Sequence, residues 1–413
     1  MITLNILEQI TADQQQYFKA KGTGLKRDIK FQKYLNNKQI VVISGIRRSG
    51  KSTLLRQFAD VVSPYYYLTL DDERLLNFEV SDFANLMIAF KKSHEAKTIF
   101  LDEIQNVSGW ERFARRLYEE GYKIFITGSN AKLLSSELTT HLTGRYFKIE
   151  LYPFSFKEFL NFEKINYQDK SSENTALILK KFDEYLLNGG FPEMVTYKDK
   201  EFVKRIYEDV LFRDIIARFK IKESKSFQQL ANYLFSNTAK EVSYNALKNI
   251  LGIKSAMSIK KYIGFMEEAY LLFEVFKYDF SLSKQFTSNK KIFAIDTGMQ
   301  KEVAFSFSEN KGRALENIIF IELKRRGLHT FFFKGKRECD FIIQEKNKIT
   351  AAIQVTTALS AHNKQREILG LVEALEASGL SEGTILTLSQ EEIIRERKYT
   401  LMVVPAWKWL LEK

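Results

Sequence analysis

Gly45-Ile46-Arg47-Arg48-Ser49-Gly50-Lys51-Ser52 fits the phosphate-loop pattern G-x-x-x-x-G-K-[ST] at every fixed position. Its flanks fit as well. Residues 39–44 form an apolar, β-branched run that reads as a buried strand, and residues 53–58 carry apolar side chains at helical spacing. The residue types follow from the chemistry. Glycine at 45 and 50 lets the backbone turn its N–H groups inward around an anion. The following helix aims its positive end at the same anion. Lys51 supplies a mobile charge for the β- and γ-phosphates, and Ser52 supplies an oxygen for Mg2+. Ile46, Arg47, Arg48, Ser49 and Thr53 are the remaining candidate cradle residues.

The rest of a nucleotide hydrolase site is expected at neighbouring strand ends. Residues 98–101 form an apolar run into Asp102-Glu103. Asp102 is expected to organise Mg2+, and Glu103 to orient or deprotonate the attacking water. Residues 123–127 are the next buried strand, ending in Gly128-Ser129-Asn130. Ser129 and Asn130 either sense the γ-phosphate or cap the next helix. Arg145, after Gly144, either reaches the γ-phosphate of a neighbouring subunit or forms a surface ion pair. Asp71-Asp72-Glu73 reads as a solvated turn rather than a set of metal ligands. Strand–helix alternation of this kind predicts an α/β fold, a parallel sheet with its site at the carboxyl ends of the strands.

The chain has 413 residues, enough for two or three domains, with 45% hydrophobic and 28% charged residues. One cysteine, Cys339, and four scattered histidines argue against a disulfide framework and a Cys/His zinc site. They suit a reducing cytoplasm. No apolar run is long enough to span a bilayer and no signal-peptide pattern opens the chain, so a cytoplasmic location away from membranes is expected. The net charge of +12 permits nucleic-acid binding without proving it.

Several segments together carry a family resemblance: the loop with Arg47-Arg48, Leu101-Asp-Glu-Ile-Gln105, Ile126-Thr-Gly-Ser129, Leu142-Thr-Gly-Arg145, Leu151-Tyr-Pro-Phe-Ser-Phe156 and Leu187-Asn-Gly-Gly-Phe-Pro192. The chain resembles the large prokaryotic family of AAA-type P-loop ATPases with a C-terminal domain of uncharacterised function. The resemblance implies an AAA+ core over 1–150, a helical lid over 151–224, a winged-helix segment over 225–284 and a restriction-endonuclease-like, PD-(D/E)XK-like α/β domain over 285–413. It also implies ATP and Mg2+ as cofactors and a homo-oligomer.

In the second half, helices over 227–235 and 244–251 and a third through 266 have a helix-turn-helix rhythm. Lys254, Lys260 and Lys261 lie on or beside the third helix, which either meets DNA or packs domains together. Further on, Leu315, Ile318, Ile319 and Leu323 form an apolar stripe with Glu322 in its middle, where a carboxylate must be neutral, paired or metal-bound. Asp340 follows Glu338 by two and shares its strand face. The nuclease pattern then asks for Glu-x-Lys, but Gln354-Val355-Thr356 stands there. Glutamine is a poor Mg2+ ligand, and threonine has no charge to position water. Glu322, Asp340, Gln354 and Thr356 therefore read as a degenerate cleft without nuclease turnover. The dense Lys311, Arg313, Lys324, Arg325, Arg326, Lys334, Lys336 and Arg337 favour phosphate contact by that domain, with DNA as partner. The expected function is Mg-dependent ATP hydrolysis coupled to a conformational change in a C-terminal nucleic-acid- or partner-binding module. The alternatives are an ATP-regulated DNA-binding protein with little turnover and an ATP-dependent Mg nuclease.

Overall fold

Four apolar runs form β1 (Ile40–Ser44), β2 (Tyr65–Thr69), β3 (Thr98–Asp102) and β4 (Lys123–Gly128), and β5 (Tyr146–Glu150) completes their sheet. All pairings are parallel, in the order β2-β3-β4-β1-β5. Ser44 pairs with Gly128 on one side and Glu150 on the other, so the carboxyl ends of these strands share one edge. Val41, Ile43, Phe100 and Phe125 pack against Leu54, Leu55 and Phe58 of the helix Lys51–Ala59. Ile40, Val42, Ile99, Leu101, Ile124 and Ile126 bury the opposite face against the helices Phe83–Ser93 and Trp110–Glu119. Burial on both faces is why the strands read as unbroken apolar runs. The N-terminal helix Leu4–Ala20 packs on the β2 edge, where Phe18 stacks on Tyr67 with ring centroids 3.7 Å apart.

The computed structural model describes residues 2–129, 142–304 and 310–412. It divides into two units. The first is Met1–Tyr152 with Glu268–Tyr270, and the second is Pro153–Glu267 with Leu271–Lys413. Among the described residues, no helix is long and apolar enough to cross a membrane.

The second unit opens with the helices Phe156–Phe162, Ser172–Asn188, Pro192–Tyr197 and Lys200–Asp209, the last continuing as a π-helical stretch, Val210–Ala217. Three more helices follow, Ser224–Ser236, Tyr244–Leu251 and Ala256–Glu268. They accompany a small sheet of β6 (Glu241–Val242), β7 (Leu272–Phe276) and β8 (Lys290–Ala294), ordered β6-β8-β7. A boundary at 284/285 therefore cuts through a sheet, because β8 pairs antiparallel with β7 from Leu272↔Ala294 to Phe276↔Lys290. Two lysines open β8 and hide it from an apolar-run reading, yet both are buried.

The last sheet contains β9 (His329–Lys334), β10 (Glu338–Glu345), β11 (Lys348–Val355), β12 (Glu382–Thr387), β13 (Glu392–Glu396) and β14 (Tyr399–Pro405). Their order is β13-β14-β12-β11-β10-β9. The sheet is mixed, with β11, β12 and β14 parallel and the remaining pairs antiparallel. The helix Lys311–Arg325 precedes the sheet in the chain, and the helix Lys364–Ser378 connects β11 to β12.

Asp296 ties this unit together locally. It caps the helix Thr297–Val303 by accepting the Met299 N–H at 3.0 Å, and it accepts the Gly190 N–H at 2.7 Å. Burial pushes its carboxyl from 3.8 up to about 6, against the pull of these amides. Between those two values the folded chain holds a proton that the unfolded chain has lost, so this group's contribution to stability falls as pH rises. Asp296→Ala is expected to cost roughly 2–4 kcal/mol, because two amides lose their acceptor. Asp296→Asn should cost less and should flatten the pH dependence of the thermal midpoint across that window. An unchanged pH profile in the asparagine variant would contradict the assignment.

Candidate nucleotide site

The loop after β1 is braced from below. A Cβ at Gly45 would lie 2.1 Å from the Leu151 carbonyl oxygen, so only glycine lets the loop leave β1 along this path. Gly50, with φ 96°, is the N-cap of the helix Lys51–Ala59. It has no side chain to occupy the first helical amides, which leaves them to an anion. The Ser49 N–H closes a turn onto the Ile46 carbonyl at 3.3 Å, and Arg48 takes a left-handed φ of 64°. Lys51 is buried and donates to the Gly45 and Ile46 carbonyls, both at 3.2 Å. Ser49 Oγ is buried without a hydrogen-bond partner, which leaves one polar group in the cradle for a ligand to satisfy.

Arg27 is a support that the sequence analysis does not assign. Its guanidinium donates to the Ser49 carbonyl at 2.9 Å and the Tyr152 carbonyl at 2.8 Å, joining the loop to the segment after β5. Behind the loop, the Ser44 and Tyr270 hydroxyls are 2.7 Å apart, and the Tyr270 hydroxyl donates to Glu150 at 3.1 Å.

β4 lies between β1 and β3, so its tip separates the loop from the acidic pair. Thr127, at that tip, is fully buried. Its hydroxyl donates to Asp102 Oδ1 and accepts the Glu103 N–H at 3.0 Å. Burial raises the Asp102 pKa and Glu103 adds to the effect, while Thr127, Ser52 and Lys51 oppose it. Glu103 sits at φ 54°, a left-handed conformation that costs a non-glycine residue about 1–3 kcal/mol. Its carboxylate accepts from Gln105 Nε2, which lies 3.5 Å from Ser129 Oγ. One hydrogen-bonded set thus links Asp102, Glu103 and Ser129 through Thr127 and Gln105.

The adjoining Ser52 and Asp102 oxygens are the hard donors that Mg2+ takes. Among the described residues, no three or more His, Cys, Asp or Glu side chains are arranged to hold a metal. A magnesium ion at this loop would therefore complete its shell from nucleotide and water.

An AAA-domain family matches residues 37–160, which span the loop and all five strands, and a domain of unknown function, DUF8612, matches residues 179–308. Over 434 aligned residues the chain is 36% identical to the uncharacterized protein MJ1544 of Methanocaldococcus jannaschii, covering 100% of this chain and 96% of that protein. The chain belongs to the same family as MJ1544, and its residues 37–160 match an AAA domain. An uncharacterized Haemophilus influenzae protein is 34% identical over 329 residues, 75% of this chain and 80% of that protein. Among solved structures, the AAA protein is similar to a STAND-type signal-transduction ATPase of Pyrococcus horikoshii, with a TM-score of 0.29 and 15% identity over 72% of this chain and 45% of that chain. It is also similar to AMPPCP-bound DnaA of Aquifex aeolicus, with a TM-score of 0.27 and 17% identity over 58% of this chain and 86% of that chain.

Other expected residues of this AAA protein lie elsewhere. Arg145 precedes β5, which runs parallel to β1, and it pairs with Glu119 at 3.2 Å. It sits at the opposite strand end from the loop of its own chain, about 16 Å away by strand rise. Asn130 lies outside the described residues. Asp72 caps a short turn and pairs with Arg74, which pulls its carboxyl down to about 2.

Glu322 takes the paired state among the three open to it, with Arg325 and Arg326, each at 3.0 Å. The helix carboxylate that does join Asp340 is Glu316, since both bind Lys291. The basic density over 311–337 is also partly spent within the unit. Lys311 pairs with Asp183, Lys334 with Glu241, and Arg325 and Arg326 with Glu322.

Thr127→Val keeps the side chain's shape and removes both hydrogen bonds. The Mg2+ dependence of nucleotide affinity, read by fluorescent-nucleotide titration, should weaken about 10-fold or more. An unchanged dependence would exclude Thr127 from the site.

Proposed function

We propose that this AAA protein hydrolyses ATP to ADP and phosphate with Mg2+, and that the cycle drives a conformational change in its second unit. The observation that carries the reading is the buried Thr127 hydroxyl, which joins the Asp102 carboxylate to the Glu103 amide beside a complete phosphate loop. Lys51 would exchange its two loop carbonyls for the β- and γ-phosphates. The helix amides and Ser49 Oγ would take the remaining phosphate oxygens. Bound through Ser52 and Asp102, Mg2+ supplies charge neutralisation at those phosphates. Glu103, oriented by Gln105, would hold or deprotonate the attacking water. Arg145 would serve the loop of a second copy, consistent with its distance from its own. Tyr270 supports coupling. It clusters with the first unit and bonds Ser44, while the chain on either side of Glu268–Tyr270 belongs to the second unit.

Lys51→Ala should abolish ATP binding. Glu103→Gln should bind ATP and turn it over about 100-fold more slowly or worse. Normal turnover in the glutamine variant would remove Glu103 from its role.

For the second unit, nucleic acid is the partner that the fold favours. Its order of helix, strand, two helices, strand, short helix Leu282–Thr287 and strand is compatible with a winged helix, and Lys254, Lys260 and Lys261 are exposed on or beside the third helix. Affinity for duplex DNA should fall linearly on a log–log salt plot, and Lys260→Ala/Lys261→Ala should reduce that slope by about 2. No affinity at low salt would end this reading.

A further inference from the structure

The last sheet contains a buried ionic cluster whose centre comes from a different sheet. Lys291, the second residue of β8, is 2% exposed. Its ammonium donates to Glu316 Oε1 at 2.8 Å and Asp340 Oδ1 at 3.1 Å, and pairs with Glu338 Oε1 at 2.5 Å. One ammonium thus lies within ion-pair distance of three different carboxylates. Glu316 comes from the helix Lys311–Arg325, while Glu338 and Asp340 come from one face of β10.

The surrounding polar atoms are engaged as well. Asp340 Oδ2 accepts the Val355 N–H at 2.9 Å. Gln354 accepts the Asp340 N–H at 3.3 Å and donates to Glu367 at 2.7 Å, and Glu367 pairs with Arg366. The Thr356 hydroxyl donates to the Ala358 carbonyl at 3.3 Å and accepts from Asn363 at 3.2 Å.

A two-carboxylate nuclease would use a helix carboxylate, an aspartate on the second strand and a residue on the third to hold a divalent cation. The residues here do not fit that group. No three acidic, His or Cys side chains among the described residues are arranged around a metal position. The third-strand residue is a neutral amide already used as a bridge, and one ammonium lies within bonding distance of every carboxylate. Burial pulls the Lys291 pKa down, but Asp340, Glu316 and Glu338 together outweigh it and hold the ammonium well above the usual lysine range.

We propose that Lys291 is the resident cation of this cluster, filling with the protein's own ammonium the place where a divalent metal would stand. Its side chain then pins the three-stranded sheet to the six-stranded one and closes the cleft to metal-dependent chemistry. Removing the ammonium leaves three carboxylates facing one another, a set that an added divalent cation can stabilise. The inference stands apart from the ATPase reading and involves none of its residues.

The test uses the full chain carrying Asp102→Asn, which silences the candidate metal donor at the loop. Thermal midpoints are measured with and without millimolar Mn2+ at matched ionic strength. The parent should not respond to Mn2+. Adding Lys291→Met should lower the midpoint, and Mn2+ should restore it; adding Asp340→Asn to that variant should remove the response. If Mn2+ stabilises the parent but not its Asp340→Asn derivative, a metal already uses the cluster and the proposal fails. A folded Lys291→Met protein indifferent to Mn2+ overturns it equally. If the methionine variant does not fold, Lys291→Gln goes through the same comparison, and the response of the parent decides independently.

Discussion

A carboxylate taken out of water must be answered by donors, because an unanswered one costs several kcal/mol. Four aspartates among the described residues are buried, and Asp102, Asp296 and Asp340 have three different answers. Asp102 meets the hydroxyl of Thr127. Asp296 meets backbone amides. Asp340 meets an ammonium and an amide. The donors separate the roles. A neutral hydroxyl holds Asp102 in place without cancelling its charge, which suits its proposed role of attracting a cation. Amides from two segments make Asp296 a structural cap. An ammonium neutralises Asp340, so its cleft keeps the outline of a metal site without the electrostatics of one.

Much of the first sheet is legible in the sequence, because parallel strands buried on both faces must be unbroken apolar runs. The phosphate loop is legible because its glycines and its lysine have few substitutes. Supports are harder to read. Arg27 lies in a polar stretch and looks like any exposed arginine; only the fold brings it under Ser49. Thr127 ends an apolar strand and carries no mark of the two bonds it makes. β8 begins with two lysines, and β13, with the sequence Glu-Ile-Ile-Arg-Glu, is a largely exposed edge strand with charged ends.

The choice between Glu316 and Glu322 shows a limit of periodicity. The helix Lys311–Arg325 is buried at every position from Asn317 to Leu323, so no single apolar face marks the side that meets β10. Glu322 lies among the apolar residues and satisfies its charge with two arginines of the next turn. Glu316 lies at a less buried position and points its carboxylate to Lys291. Which of the two serves the cleft depends on how the helix is rotated about its axis, a tertiary property.

The Arg27 brace bears on where the nucleotide unit begins. The AAA-domain match starts at residue 37, but the two carbonyls that Arg27 clamps belong to the loop and to the exit from β5. Leu7, Ile10 and Phe18 of the first helix are buried in the cores on either side of the sheet. A fragment cut to the family match would keep every residue of the phosphate-binding motif, yet it would lose the clamp beneath them and expose one margin of the sheet. The smallest autonomous nucleotide-binding piece of this chain therefore includes its first helix and the strap that follows it.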